Sequence, residues 1–226
     1  MNKIYNPKRE DWRAVLKRPT QSVAAIENTV NDVFKEVAIR GDEAIYQYTQ
    51  QFDKVSLKGM LVSTEEIEKA KTLVSHDLRH AIQLAKENIE TFHKAQKTDK
   101  IEVETVSGVK CWQEKRPIQK VGLYIPGGTA PLFSTILMLA VPANIANCEE
   151  IVLCTPPDRE GKVNPAILYT AALCGVTKII KVGGIQAIAG MTFGTESIPK
   201  VYKIFGPGNQ FVTVAKQLAT KHGVAI

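Results

Sequence analysis

The sequence predicts an α/β protein: a parallel sheet with helices on both faces, preceded by a helical region that carries a β-hairpin. The first observation behind this is four near-continuous apolar runs that begin near Val121, Ile151, Ile179 and Val201, at spacings of 30, 28 and 22 residues. Such spacings suit βα units, and strands without polar alternation suit a sheet covered on both sides. The second is that three of the runs end in glycine-rich turns, Pro126-Gly127-Gly128, Gly183-Gly184 and Gly206-Pro207-Gly208, while residues 151–154 lead into Thr155-Pro156-Pro157. In a parallel sheet the loops leaving the strands' carboxyl ends share one edge, and glycines there let the backbone approach a ligand. Three such turns, each followed by a helix-like stretch, predict a ligand crevice suited to a phosphate-bearing molecule.

The third observation is the helical period before residue 120. Val23, Ile26, Val30, Val33, Phe34 and Val37 recur at three- and four-residue intervals, and Gly41 supplies a stop. Ser63-Thr64-Glu65-Glu66 has capping-box spacing and opens a second helical stretch. Leu78, Ala81, Ile82, Ala85, Ile89 and Phe92 then form one apolar stripe, with Arg79, Gln83, Lys86 and Glu90 facing elsewhere. Residues 101–106 and 109–114, separated by Ser107-Gly108, predict a β-hairpin. The change of rhythm divides the chain into 1–120 and 121–226. No Ser/Gly linker or low-complexity tract separates the two, so they are expected to pack together.

A length of 226 residues allows one large domain or two small ones, and 44% hydrophobic with 23% charged residues is an ordinary globular composition. No apolar run reaches the length of a bilayer span, and the first seven residues carry neither a signal peptide's apolar core nor a transit peptide's Arg/Ser bias. A cytoplasmic location with no membrane partner is the default expectation. The net charge of +6 comes from 29 basic and 23 acidic residues. The lysines scatter along helices, with a loose group at Lys110, Lys115, Arg116 and Lys120, which predicts a solvated face that attracts anionic substrates rather than a nucleic-acid site. Cys111, Cys148, Cys154 and Cys174 form no C-x-x-C pair and no metal-type spacing, and neither Cys111 nor Cys148 has a recognisable base partner.

Familiar nucleotide motifs are missing. Gly206-Pro207-Gly208-Asn209-Gln210-Phe211 begins like G-x-G-x-x-G but ends in Phe, no acidic residue about 20 positions later completes a ribose contact, and no P-loop occurs. His76 and His80 imitate the two ligands of H-E-x-x-H, but they flank Leu78 of the apolar stripe and lack a third ligand, so they are read as surface histidines. No metal site is expected within the chain, and no histidine stands in a catalytic context. Gln186 and Asn209 sit just past glycine turns, where an amide can bond a ribose, a carboxamide or a phosphate. Helix capping competes for Asn209 and suits Gln186 poorly. Tyr124 ends the first strand, so its ring is expected at the same edge, with core packing as the competing role.

These residues carry a family resemblance. Arg116-Pro117-Ile118, Val121-Gly122-Leu123-Tyr124-Ile125-Pro126-Gly127-Gly128, Gly183-Gly184-Ile185-Gln186-Ala187-Ile188-Ala189, residues 193–201 (FGTESIPKV) and Gly206-Pro207-Gly208-Asn209 together resemble histidinol dehydrogenases. Gly41-Asp42, Phe52-Asp53 and Phe92-His93 resemble the family upstream as well, so the resemblance spans essentially the whole chain. It implies incomplete Rossmann-like folds and oxidation of L-histidinol to L-histidine through the aldehyde, with two NAD and a zinc ion, in a homodimer. It also implies cofactor-binding roles for Tyr124, Gln186 and Asn209.

The family's chain is longer. Its zinc ligands, its Glu-His proton-transfer pair and most substrate contacts have no counterpart here, so the chain is expected to be a partial sequence that carries the NAD side and no catalytic residue of its own. Residues 1–120 are then part of a first α/β domain completed elsewhere, and 121–226 are the Rossmann-like NAD-binding domain. A non-catalytic nucleotide-binding or interaction module that keeps only the crevice is the alternative.

Overall fold

The computed structural model describes residues 3–17, 23–128 and 130–226. A short exposed helix, α1 (Trp12–Val15), precedes α2 (Val23–Arg40), on which Ile26, Val30, Val33, Phe34 and Val37 form the buried stripe that their spacing predicts. The side chain of Val23 lies outside the described residues. Gly41 ends α2 with φ at +54°. Helix α3 (Asp42–Tyr48) follows and runs into a π-turn at Thr49–Asp53, which Lys54 closes in the left-handed region.

The capping box opens α4 (Thr64–Leu73): the Glu66 N–H donates to Ser63 Oγ, and the Ser63 N–H donates to the Glu66 carboxylate at 2.9 Å. The stripe from Leu78 onward belongs to a separate helix, α5 (His76–Ala95), because Val74 is extended and Ser75 caps a new start. Among the stripe residues Ile82 is buried, whereas Phe92 stays 64% exposed. The hairpin appears as predicted, with β1 (Ile101–Val106) antiparallel to β2 (Val109–Gln113), and both strands are exposed along their length.

The second half alternates strand and helix: β3 (Lys120–Tyr124), α6 (Phe133–Ile145), β4 (Glu150–Cys154), α7 (Pro165–Leu173), β5 (Lys178–Ile180), α8 (Gly184–Phe193), β6 (Lys203–Phe205) and α9 (Gln210–Lys221). The four strands are parallel in the order β5-β4-β3-β6. That order reproduces half of a doubly wound sheet, with the chain reversing direction between β3 and β6. Strand β6 is shorter than its apolar run, because the N–H of Val201 donates to the Met191 carbonyl before pairing with β3 begins.

Side-chain alternation along the strands feeds two cores. Val121, Leu123, Ile151 and Leu153 face one side and pack with Ile82 of α5, Ala70 of α4 and the inner faces of α6 and α7. Tyr124, Val152, Cys154 and Ile180 face the other and pack with α2, α8 and α9. Helices therefore cover both faces, and the first half of the chain supplies some of them: α2 lies on α8 and α9, α4 on α7, and α5 on α6. Gly122 lets α8 come this close to β3, since a Cβ there would stand 2.6 Å from Met191 Sδ.

Candidate functional site

The parallel register aligns Tyr124 with Cys154, Cys154 with Ile180, and Leu123 with Phe205, so the turns after all four strands open on one edge. Most of the turn glycines serve contacts within that edge. Pro156 is wedged between two of them: a Cβ on Gly127 would lie 2.7 Å from its Cγ, and one on Gly183 2.6 Å from its Cβ. Gly206 abuts the Tyr124 backbone and Gly208 abuts Val212, while Gly128 faces open space. Gly127, Gly183 and Gly206 thus let neighbouring turns touch, while Gly184 lines the cavity described next.

A cavity of about 260 Å³ opens where α8 and α9 begin, lined by Thr29, Phe52, Asp53, Gly184–Gln186, Asn209 and Phe211. It brings together Gln186 and Asn209, two of the three residues singled out in the sequence. Gln186 is fully buried and caps nothing. Its Nε2 donates to Asp53 Oδ2 at 3.0 Å, and its Oε1 is buried without a partner. Leaving such an acceptor unsatisfied costs about 1–3 kcal/mol unless a ligand or water supplies a donor. Asn209 does cap α9, with Oδ1 accepting from the Val212 N–H at 3.1 Å, so its Nδ2 is the end left for a ligand.

Tyr124 takes a supporting position. It is buried, does not line the cavity, and its hydroxyl accepts from the Gly184 N–H at 3.1 Å. That bond satisfies an early amide of α8 and fixes the turn that carries Gln186. Burial pushes the Tyr124 phenol up to about 12, so at neutral pH it stays a hydroxyl. Burial also raises the Asp53 carboxyl above its usual range, against the opposing hydrogen bond from Gln186. In the sequence Asp53 stands out only through the Phe52-Asp53 resemblance: it sits 133 positions from Gln186 and is brought to it by the π-turn at the end of α3.

A second hollow of about 520 Å³ lies on the other face of the same edge, between the turns after β3 and β4 and the helices α4 and α7. His76 is exposed on the surface of α5, 3.6 Å from Asp77. Cys154 and Cys174 are buried, and burial raises both thiols, as it does that of half-buried Cys148, whereas Cys111 is exposed on the hairpin. Among the described residues no group of three or more His, Cys, Asp or Glu converges, and no helix is long and apolar enough to cross a membrane.

Strand order, two-sided helical cover and a polar-ended cavity at the strands' carboxyl edge define an incomplete Rossmann-like α/β protein. A family model for histidinol dehydrogenase matches residues 16–226. The histidinol dehydrogenase of Bacteroides thetaiotaomicron is 58% identical over 226 residues, which is 100% of this chain and 53% of that protein. That of Escherichia coli K12 is 52% identical over 220 residues, 96% of this chain and 50% of that protein. The crystal structure of histidinol dehydrogenase from Elizabethkingia anophelis superposes with a TM-score of 0.90 at 54% identity, covering 98% of this chain and 51% of that one. The chain belongs to the histidinol dehydrogenase family, and it spans about half the length of the relatives it matches.

Proposed function

We propose that this chain is the NAD-side half of an enzyme that oxidises L-histidinol to L-histidine through the aldehyde. The observation that carries the proposal is the unpartnered, fully buried amide oxygen of Gln186 beside Asn209 at the carboxyl edge of a Rossmann-like sheet. A bound nicotinamide cofactor would supply the hydride acceptor for a carbinol carbon. The chain's own residues do the holding: Gln186 and Asn209 offer amide bonds to the cofactor, and Tyr124 locks the Gly183-Gly184 turn that positions Gln186. No donor set for zinc is assembled by the described residues, so no step is assigned to a metal here. Zinc, the proton-transferring base and most substrate contacts are assigned to the part of the relatives' length that this chain does not span.

The division near residue 120 belongs to the same proposal, with 121–226 as the NAD-binding domain and 1–120 as part of a domain completed by that further length. The hairpin favours it. Ile101, Val103, Val106, Val109 and Trp112 are each about half exposed or more, a concentration of apolar surface that partner structure normally covers. Homodimer assembly at full length and a cytoplasmic setting are carried with it.

The deciding experiment compares this chain with the same chain fused to the C-terminal half of the Bacteroides thetaiotaomicron relative. Both should bind NAD, and the fusion alone should form NADH when histidinol is added. NADH formation by the 226 residues alone would move the chemistry into this half. Absence of NAD binding by both would overturn the proposal, and NAD binding with no turnover by the fusion would favour a binding module.

A further inference from the structure

The turn between β6 and α9, Gly206-Pro207-Gly208-Asn209, has little of its own to hold it in shape. Pro207 has no N–H to give, and Gly206 sits at φ +125°. Asn209 is secured by the helix it caps. Among the described residues, however, no main-chain hydrogen bond ties Gly206, Pro207 or Gly208 to the rest of the fold. The polar tether is a side chain instead. Lys216, two turns into α9, reaches back past the start of its own helix and donates from Nζ to the Gly206 carbonyl at 3.0 Å.

Neither the helix dipole nor solvation explains where this ammonium lies. A cation is favoured at the carboxyl end of a helix and disfavoured at the amino end, yet Nζ is drawn towards the end where α9 begins. Lys216 is also half-buried, and burial pulls its ammonium below the ordinary lysine range. Turning the long side chain outward to water would relieve both costs. What the inward position provides is a charged donor, the stronger kind of hydrogen bond, on a carbonyl that has no main-chain partner.

Building on the proposed NAD-side function, we infer that Lys216 is a positioning residue: its ammonium fixes the Gly206-Pro207-Gly208 turn and thereby the direction in which Asn209 leaves it. Gly206 is pressed against the Tyr124 main chain, so the turn is gripped between the end of β3 and the Lys216 side chain. Asn209 spends Oδ1 on the Val212 N–H, and its backbone, set by the turn, aims what remains of the amide. Lys216 does not line the cavity, so it acts through the turn alone.

Hydrogen exchange across the turn, isothermal titration with NAD and urea unfolding test this on the full chain, for the parent, Lys216→Met and Lys216→Arg. Met keeps the length and helix propensity of Lys without its donor, and Arg keeps a cationic donor. In Lys216→Met the amides of Gly206, Gly208 and Asn209 should exchange about tenfold faster and NAD should bind about tenfold more weakly. The urea midpoint should stay at or above the parent's, because a half-buried charge has been removed. Lys216→Arg should restore exchange and affinity to within about threefold of the parent. A residue that merely stabilised α9 would lower the midpoint and leave the turn no looser than the rest of the helix. Parental exchange or parental affinity in Lys216→Met, or a loss in Lys216→Arg as large as in Lys216→Met, would overturn the assignment. No saturable NAD binding by the parent would overturn the underlying function, and the exchange measurement would still decide whether Lys216 holds the turn.

Discussion

Gly206 lies directly against the backbone of Tyr124. A Cβ built on Gly206 would stand 2.1 Å from the Tyr124 carbonyl oxygen and 3.1 Å from its nitrogen, and Gly206 has φ at +125°. Neither neighbour is a side chain that can swing aside, so the ends of β3 and β6 meet only because residue 206 lacks a side chain.

Gly206→Ala should therefore destabilise the fold by roughly 3 kcal/mol or more, whereas Gly128→Ala, with nothing within 4 Å of its added carbon, should stay within about 0.5 kcal/mol of the parent. Urea unfolding of both variants checks the contrast, and equal stability of the two would refute it.

Asn209 has two roles that one substitution can separate. Asn209→Ala should lose about 1 kcal/mol through the missing cap as well as any ligand bond, while Asn209→Ser keeps a capping oxygen. The Ser variant should melt within a degree or two of the parent yet bind NAD about tenfold more weakly. Parental affinity in Asn209→Ser would leave capping as its whole contribution.

Tyr124→Phe leaves the Gly184 N–H without its partner and should cost about 1–3 kcal/mol. The phenol also links stability to alkaline pH. Its proton is held more tightly folded, at about 12, than at its ordinary 10.0, so the native state should lose stability as pH rises from 10 to 12 and gain nothing below 10. The fall over that window should be shallower in Tyr124→Phe, and parallel curves for the two proteins would count against the burial argument.

Asp42 pins the turn after α8. Its carboxylate accepts from Thr195 Oγ1 and Ser197 Oγ, both at 2.5 Å, while its own N–H donates to Glu196 at 2.9 Å. Asp42→Ala should destabilise by about 2–3 kcal/mol. A double-mutant cycle with Ser197→Ala should give a coupling of about 1 kcal/mol, and strict additivity would show that the two do not act together.

The exposed hairpin makes an expectation about the isolated chain. With Val103 52% and Trp112 62% exposed, the 226-residue protein should self-associate at tens of micromolar, and Val103→Lys with Trp112→Lys should shift it towards monomer in sedimentation velocity. A monomeric parent would remove the argument that this surface awaits a cover.

The sheet was legible because buried parallel strands write themselves as uninterrupted apolar runs, and the hairpin because Ser107-Gly108 divides two β-rich stretches. The stripe of α2 was legible for the same reason, since Ile26, Val30, Val33, Phe34 and Val37 all face one core. The break at Val74-Ser75 was harder to see, because Ser63 and Ser75 offer equivalent caps and nothing between them forbids a continuous helix. Gln186 and Asn209 stood out from their place after glycine turns, and both line one cavity. Asp53 entered only through the Phe52-Asp53 resemblance, because its bond to Gln186 spans 133 residues and no local pattern encodes that contact.

The way α2, α4 and α5 wrap a sheet built from later residues has a consequence for synthesis. The ribosome releases α2 long before α8 and α9, and the Asp42–Ser197 bond spans 155 positions. Until α8 and α9 have emerged, the part of the α2 stripe that rests on them stays uncovered, and bringing such distant segments together costs loop entropy before any contact repays it. The nascent chain therefore carries a partly uncovered helix through most of its elongation, the condition in which exposed apolar surface invites association.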